Sequence, residues 1–472
     1  MMRKVKLHVK KLMYSNQINR MFSGGENSEL LERASSLGVK YYQMSFVDIF
    51  GVQRSKLVPA SRADEMVGAG GAGFAGFAVH LKMSPTQGDL LAKPDMSTLK
   101  VLPWNREVAW LACDLYWCEK EFIASPRNTL RRVLSKLKQN YGLDLKVGIE
   151  CEFALINRSG DGLADAFDTQ KKSCYDAHAL MRQYDLITNI VQAIDELGFG
   201  PYQCDHEDAN GQFEINFDFD HALTTADNII FFKYLVRSLA EQYGLRATFM
   251  PKFSSQLTGN GCHAHLSLHD AESGDNIVSS NEINKNEPSL SAQASQFLAG
   301  ILDQSPALSA IACPTINSYK RIYASSTISG ATWSPNVISW GGNNRTLMCR
   351  IPDDKRFEIR LADMACNQYL YPAALCAAGI HGLDNNLSLP LAAPDGCNMY
   401  DPHDDQARAI RTIAPTLPRN LRSALDNLDS SIPLRKYLTD DLVDAFLHLQ
   451  KQHCDDFDSH ISPWELEKYL DV

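Results

Sequence analysis

Four short segments of this 472-residue sequence alternate apolar residues with residues that carry charge or hydrogen-bonding groups. In KVGIECEFALI, the residues Val147, Ile149, Cys151, Phe153 and Leu155 share one face of an extended chain, so Glu150 and Glu152 share the other. In GQFEINF the polar face is Gln212, Glu214 and Asn216; in GCHAHLSL it is His263, His265 and Ser267; in RFEIRL it is Arg356, Glu358 and Arg360. Any one of these segments alone reads more readily as the ordinary solvent face of an antiparallel strand. All four together carry Glu and His with Arg and almost no Lys, which favours convergence on a common cavity. Glu150, Glu152, Glu207, Glu214 and Glu358 would then lie close together with His263, and so many carboxylates cannot all ionise unless cations neutralise them. Hard oxygen donors with a single imidazole suit Mg²⁺ or Mn²⁺ better than zinc, and two such ions can clamp the phosphates of ATP and an attacking carboxylate. Arg321, Arg345, Arg350, Arg356 and Arg360 follow in one stretch, and planar guanidinium groups match carboxylate and phosphate oxygens.

The elements that must position these residues are less regular. A 44% hydrophobic content supports a large core and suggests two domains, while a net charge of -10 argues against a nucleic-acid partner. The twelve cysteines form no CxxC pair, which fits buried thiols in a reducing cytoplasm, and no apolar stretch is long enough to span a membrane. Residues 1–28 read as a basic extension carrying Arg3, Lys4, Lys6, Lys10 and Lys11. SFVDIFGVQRSKLVPAS predicts a hairpin turning at Gly51. Gly68, Gly70 and Gly73 match GxGxxG formally, but no strand precedes them and no helix follows, so they predict a close-packed loop. PRNTLRRVLSKLKQ predicts a helix with Pro126 in its first turn, and a domain boundary is placed there. Further helices are predicted at about 179–197 and 222–243, followed by an irregular region over 251–362 and a mostly helical tail.

Taken in order, SFVDIFGVQRSKLVPAS, GIECEF, DHEDANGQFEI, TGNGCHAHLSL, NSYKRI, NNRTLMCRIP, RFEIRLAD with NQYL, and NMYDP resemble the glutamine synthetase family. DHEDANGQFEI and SGATWSPN are most similar to its γ-glutamyl-amide ligase branch, the γ-glutamylmethylamide and γ-glutamylanilide synthetases. The resemblance implies an α+β protein with a β-grasp domain at 29–125 and a catalytic domain at 126–472, in which antiparallel strands form a funnel flanked by helices. It implies stacked rings, commonly dodecamers, and the substrates L-glutamate, ATP and ammonia or an amine. Glu152, Glu207 and Glu214 would hold one Mg²⁺ or Mn²⁺, and Glu150, His263 and Glu358 another. Gly259, Arg321 and Arg360 would bind glutamate, Arg345, Arg350 and Arg356 would meet the transferring phosphoryl group, and His265 and Ser267 would lie along ATP. Asp48 would enter the neighbouring subunit's site to meet the amine. NMYDP is similar to a segment that carries a regulatory tyrosine in some members, here Tyr400.

Two positions depart from the family pattern. Thr327 stands six residues after Arg321, where ammonia-using members place a glutamate, and Thr258 replaces a usual asparagine before Gly259. Losing a carboxylate at 327 removes an anionic partner for ammonium and makes room for an alkyl or aryl amine. The expected activity is therefore ligation of an organic amine to the γ-carboxylate of glutamate through γ-glutamyl phosphate. An ammonia-dependent glutamine synthetase is the alternative, and a non-enzymatic structural protein on the same fold is the third.

Overall fold

Where the sequence alternates apolar and polar residues, the chain is extended; a computed structural model describes residues 31, 34–279 and 290–472. The basic extension over 1–28 lies outside the described residues. Three sheets carry the architecture, with seven, four and six strands, and helices pack around them. The seven-stranded sheet comes from the N-terminal part. Its edge is the predicted hairpin, Tyr41–Val47 antiparallel to Gln53–Pro59, with Gly51 in the left-handed region at φ 79°. The glycine cluster has the opposite order to a dinucleotide loop, since the helix Ala63–Gly68 precedes it and the strand Ala72–Phe74 follows. A Cβ on Gly71 would lie 2.2 Å from the Ala92 carbonyl oxygen, so the turn between the two elements is close-packed, while Gly68 ends the helix and Gly73 lies in the strand.

The four- and six-stranded sheets together form a funnel-like, nearly closed barrel, giving a mixed α+β fold. One feature of the alternating segments changes here. KVGIECEFALI is two strands, Leu143–Ile149 in the six-stranded sheet and Cys151–Asn157 in the four-stranded one. Glu150 is the junction between them, and its backbone N–H donates to the His263 carbonyl. Strand Gln212–Phe217 pairs with Cys151–Asn157, and strand Ala264–Asp270 pairs with both Leu143–Ile149 and Arg356–Ile359.

Helices follow from capping and burial. Pro126 opens the helix Pro126–Tyr141, and Gly142 ends it at φ 64°. The helix expected at about 179–197 is instead two, Ala177–Arg182 and Tyr184–Glu196, because Gln183 leaves helical geometry and its N–H turns to Leu180. The helix Ala222–Gln242 matches its expectation closely. The region 251–362 is less irregular than expected: it contains helices Ala292–Asp303, Ser305–Ala312 and Ile316–Ile322. The first two bury most of their surface, so an amphipathic stripe is weak in their sequences. Ala292–Asp303 crosses Leu370–Asp384 at glycines, where a Cβ on Gly382 would lie 1.9 Å from the Gln296 carbonyl oxygen.

Candidate active site

Strand register brings the polar faces together. Glu152 is opposite Glu214, and Glu214 is opposite Asp205 on the next strand; in the other sheet His265 is opposite Glu358, and Glu358 opposite Arg350. A cavity of about 400 Å³ lies between the sheets, lined by Glu150, Glu152, Glu207, Glu214, His263 and His265. Arg321, Arg345, Arg350, Arg356, Arg360 and Gly259 also line it. These faces are not solvent faces, since Glu152, Glu214 and His263 are nearly excluded from water.

Local geometry fixes each carboxylate. Glu152 Oε2 accepts from Gln212 Nε2 at 2.7 Å and from the Gly261 N–H at 2.8 Å. A Cβ on Gly261 would come within 2.9 Å of both Glu152 Oε1 and His263 Nε2, and one on Gly259 within 2.1 Å of the Pro251 carbonyl oxygen, so the glycines of TGNG permit the packing. Glu150, at the sheet junction, is shared: His263 Nδ1 lies 2.8 Å from its Oε2 and His265 Nε2 lies 2.9 Å from its Oε1.

Burial and crowding disfavour ionised carboxylates here. Burial, reinforced by Glu152 and Asp205, pushes Glu207 up to about 8. Burial, reinforced by Glu150 and opposed by the Gly261 N–H and Arg321, pushes Glu152 up to about 7. Glu214 is pushed well above its ordinary value by burial and then by Glu150, Glu207 and Glu152. Burial and Arg360 lower His263 to about 4, which keeps the imidazole neutral and free to ligate. His263 Nε2 and His265 Nδ1 are buried without a hydrogen-bond partner. Among the described residues one group has ligand atoms all within 4.8 Å of one another: Glu150, His265 and Glu358. The donor set fits hard divalent ions and contains His265 where the resemblance implied His263.

The arginines supply the complementary charge. Arg321 is buried, with Nη1 donating to the Leu361 carbonyl at 3.1 Å. Arg350 Nη1 donates to Asn343 Oδ1 at 2.6 Å while its Nε donates to Glu358. Arg345 and Arg356 are exposed at the mouth.

Four expected site residues do not reach the cavity wall. Glu358 is fully buried behind it, held by Arg350 and Arg360. Ser267 is buried with Oγ 3.0 Å from His269 Nε2. Thr327 turns its hydroxyl onto the Ala331 carbonyl of its own segment. Asp48 is fully buried: Oδ1 accepts the N–H groups of Phe50 and Val52, Oδ2 accepts from Arg54, and His80 Nδ1 lies 3.1 Å away. Tyr400 is partly buried in a turn and sits edge-on to Trp333, its hydroxyl donating to the Arg345 carbonyl.

Sequence reasoning missed Asp205, Tyr175 and Trp333, all on the wall. Asp205 was legible, since Gln203, Asp205 and Glu207 alternate as the other faces do. Tyr175 and Trp333 lie on loops with no periodicity, and both hold left-handed backbone at φ 64° and 51°. Such conformations persist in non-glycine residues only where the surroundings impose them.

Comparison with known proteins agrees with this geometry. Residues 123–469 match the glutamine synthetase catalytic domain. The chain is 44% identical to a glutamine synthetase of Rhizobium leguminosarum bv. phaseoli over 94% of this chain and 99% of that one. It is 39% identical to a glutamate–methylamine ligase of Methyloversatilis universalis, covering 92% and 96% of the two chains. A solved GmaS–ADP complex superposes with a TM-score of 0.87 at 44% identity, over 94% of this chain and 99% of the other.

Proposed function

The chain belongs to the glutamine synthetase family and is a carbon–nitrogen ligase, and from that premise we propose that it joins an organic amine to the γ-carboxylate of L-glutamate at the expense of ATP. The observation that carries this reading is the amine side of the cavity. Thr327 stands where ammonia-using members are expected to have a glutamate; its hydroxyl turns away from the cavity, and the segment it belongs to runs on to Trp333, which lines the wall together with Tyr175. Apolar surface there rewards an alkyl or aryl substituent on the amine. The likeness to a glutamate–methylamine ligase and to GmaS supports the same reading.

Arg321, Arg360 and the backbone at Gly259 hold the carboxylates of glutamate, and the γ-carboxylate attacks the γ-phosphorus of ATP. Arg345, Arg350 and Arg356 offset charge on the transferring group. Glu152, Glu207 and Glu214 on one side, and Glu150, His263, His265 and Glu358 on the other, would hold divalent ions that screen the phosphates. The amine then attacks the acyl carbon, phosphate leaves, and Glu207 takes the proton. Asp48 joins this step only if its hairpin gives up the bonds that bury it. Assembly into stacked rings, commonly dodecamers in this family, and residence in a reducing cytoplasm belong to the same reading. All twelve cysteines are free, and no helix among the described residues is long and apolar enough to cross a membrane.

Ammonia is the second reading, favoured by the relatives named glutamine synthetase and by Asp205 and Glu207 remaining as anionic partners for ammonium. Phosphate release from ATP and glutamate with ammonia, methylamine, ethylamine, isopropylamine and aniline separates the two. Preference for an alkylamine or aniline supports the proposal, and preference for ammonia over every amine overturns it.

A further inference from the structure

Asp208 follows Glu207 in sequence yet does not line the cavity, and it is 8% exposed. Buried carboxylates are ordinarily paired with a cation, but no Lys, Arg or His forms an ion pair with Asp208 among the described residues. Its Oδ2 accepts two hydroxyls instead. One comes from Thr258, beside the glutamate-pocket Gly259, and the other from Ser329 at 2.6 Å, in the segment that also carries Thr327. Hydroxyl bonds to a carboxylate are among the stronger neutral-donor bonds.

The same segment is tied down at one further point and braced within itself. The Ile328 N–H donates to the Gln256 carbonyl at 2.9 Å, and Thr327 Oγ1 lies 3.1 Å from Ser329 Oγ while donating to the Ala331 carbonyl. Two residues beyond this turn, Trp333 keeps its left-handed backbone on the cavity wall. At the other end of the network the Asp208 N–H donates to Glu207 Oε2 at 2.9 Å, orienting a carboxylate that faces the cavity.

We propose that Asp208 is a positioning residue that latches the 327–331 segment against the 256–258 loop, closing the amine side of the cavity to water. The proposal rests on the ligase reading above. A latched segment matters because γ-glutamyl phosphate reacts with water as well as with amine. In that side reaction a water oxygen bonds to the acyl carbon and the carbon–oxygen bond to phosphate breaks. Glutamate and inorganic phosphate result, and the water protons pass to phosphate and solvent. The net outcome is ATP hydrolysis without amide.

The test is to measure ADP and amide in the same sample, using the best amine of the panel. Wild-type enzyme is expected to form them about one to one. Asp208→Ala is expected to raise the ADP-to-amide ratio about threefold or more and to raise the amine KM, with the rate of ADP formation within about twofold of wild type. Asp208→Asn keeps an acceptor oxygen and should recover most of the coupling. Ser329→Ala leaves the buried acid in place, so it decides the matter if Asp208→Ala does not fold, and it should uncouple in the same direction. The double variant should be no worse than Asp208→Ala alone, since both changes break one latch. Coupled turnover in both Asp208→Ala and Ser329→Ala overturns the latch and leaves the ligase reading intact. Wild-type enzyme that consumes ATP yet makes no amide with ammonia or any amine overturns the ligase reading, and the latch with it.

Discussion

Arg360 Nη1 donates to Glu358 Oε1 at 2.6 Å, two residues away along one extended segment, and both side chains are buried. From sequence, Glu358 reads as a cavity-face residue whose removal would leave packing intact. The structure shows a residue that also neutralises Arg350 and Arg360. Glu358→Ala should therefore abolish phosphate release and also destabilise the fold by about 3–5 kcal/mol, because it strands buried guanidinium groups. Urea denaturation of the purified variant checks this. A stability equal to that of wild type would show that the two arginines find other partners.

The crowded carboxylates predict how the protein responds to metal. Glu152 and Glu207, raised by burial and then by neighbouring carboxylates to about 7 and about 8, are neutral when the metal-free chain is most stable. An acid whose folded pKa lies above its unfolded one favours folding at low pH, and that contribution is lost as pH rises through the folded value. Metal-free protein should therefore lose stability as pH climbs from the ordinary value near 4.5 toward about 8. Mg²⁺ or Mn²⁺ should reverse the loss, by about 2.7 kcal/mol at a hundredfold excess over Kd. Thermal melts with EDTA and with each ion, across that range, test it. Melting that is flat in pH without metal would mean that these carboxylates do not repel one another.

Arg127 is a strut between the N-terminal sheet region and the helix Ala222–Gln242. Its guanidinium donates to Asp227 through Nε at 2.9 Å and Nη2 at 2.8 Å, to Asp114 at 2.7 Å and to Asp95 at 2.9 Å, and it is 3% exposed. Asp95 and Asp114 belong to the N-terminal part and Asp227 to the helix Ala222–Gln242. Arg127→Ala should cost about 3–5 kcal/mol, and Arg127→Lys should rescue little, since an ammonium cannot match the planar fork. Equal denaturation midpoints for Arg127→Lys and wild type would refute the strut.

Period-2 alternation made the site legible as far as strands carry it. Glu152, Glu214, His263 and His265 could be read from sequence because an alternating strand sorts its residues by face. Glu150 was legible as a face residue, but its role as the hinge between two sheets was not, since alternation runs unbroken through it. Tyr175, Trp333 and Asp208 were hidden for another reason: each lies on a loop whose path only tertiary packing decides. Helices such as Ala292–Asp303 were hidden because burial on most sides erases the stripe that announces a helix.

A carboxylate about 4 Å from a nitrogen gaining positive charge contributes about 4 kcal/mol at an effective dielectric of about 20. Thr327 offers none of this, and its hydroxyl is already committed to the Ala331 carbonyl. An enzyme built this way should be poor with ammonium and better with an amine that brings apolar area to Tyr175 and Trp333, each buried methylene contributing about 0.8 kcal/mol. Thr327→Glu should restore an anion and raise activity with ammonia relative to isopropylamine or aniline. The replacement also gives up the bond to Ala331, so some absolute activity should fall, and the ratio between amines is the quantity to read. Phosphate release from the variant and the wild type across the panel supplies it. A ratio that does not move, in a variant that still turns over, would mean that Glu207 or Asp205 already serves ammonium and that position 327 has no part in choosing the amine.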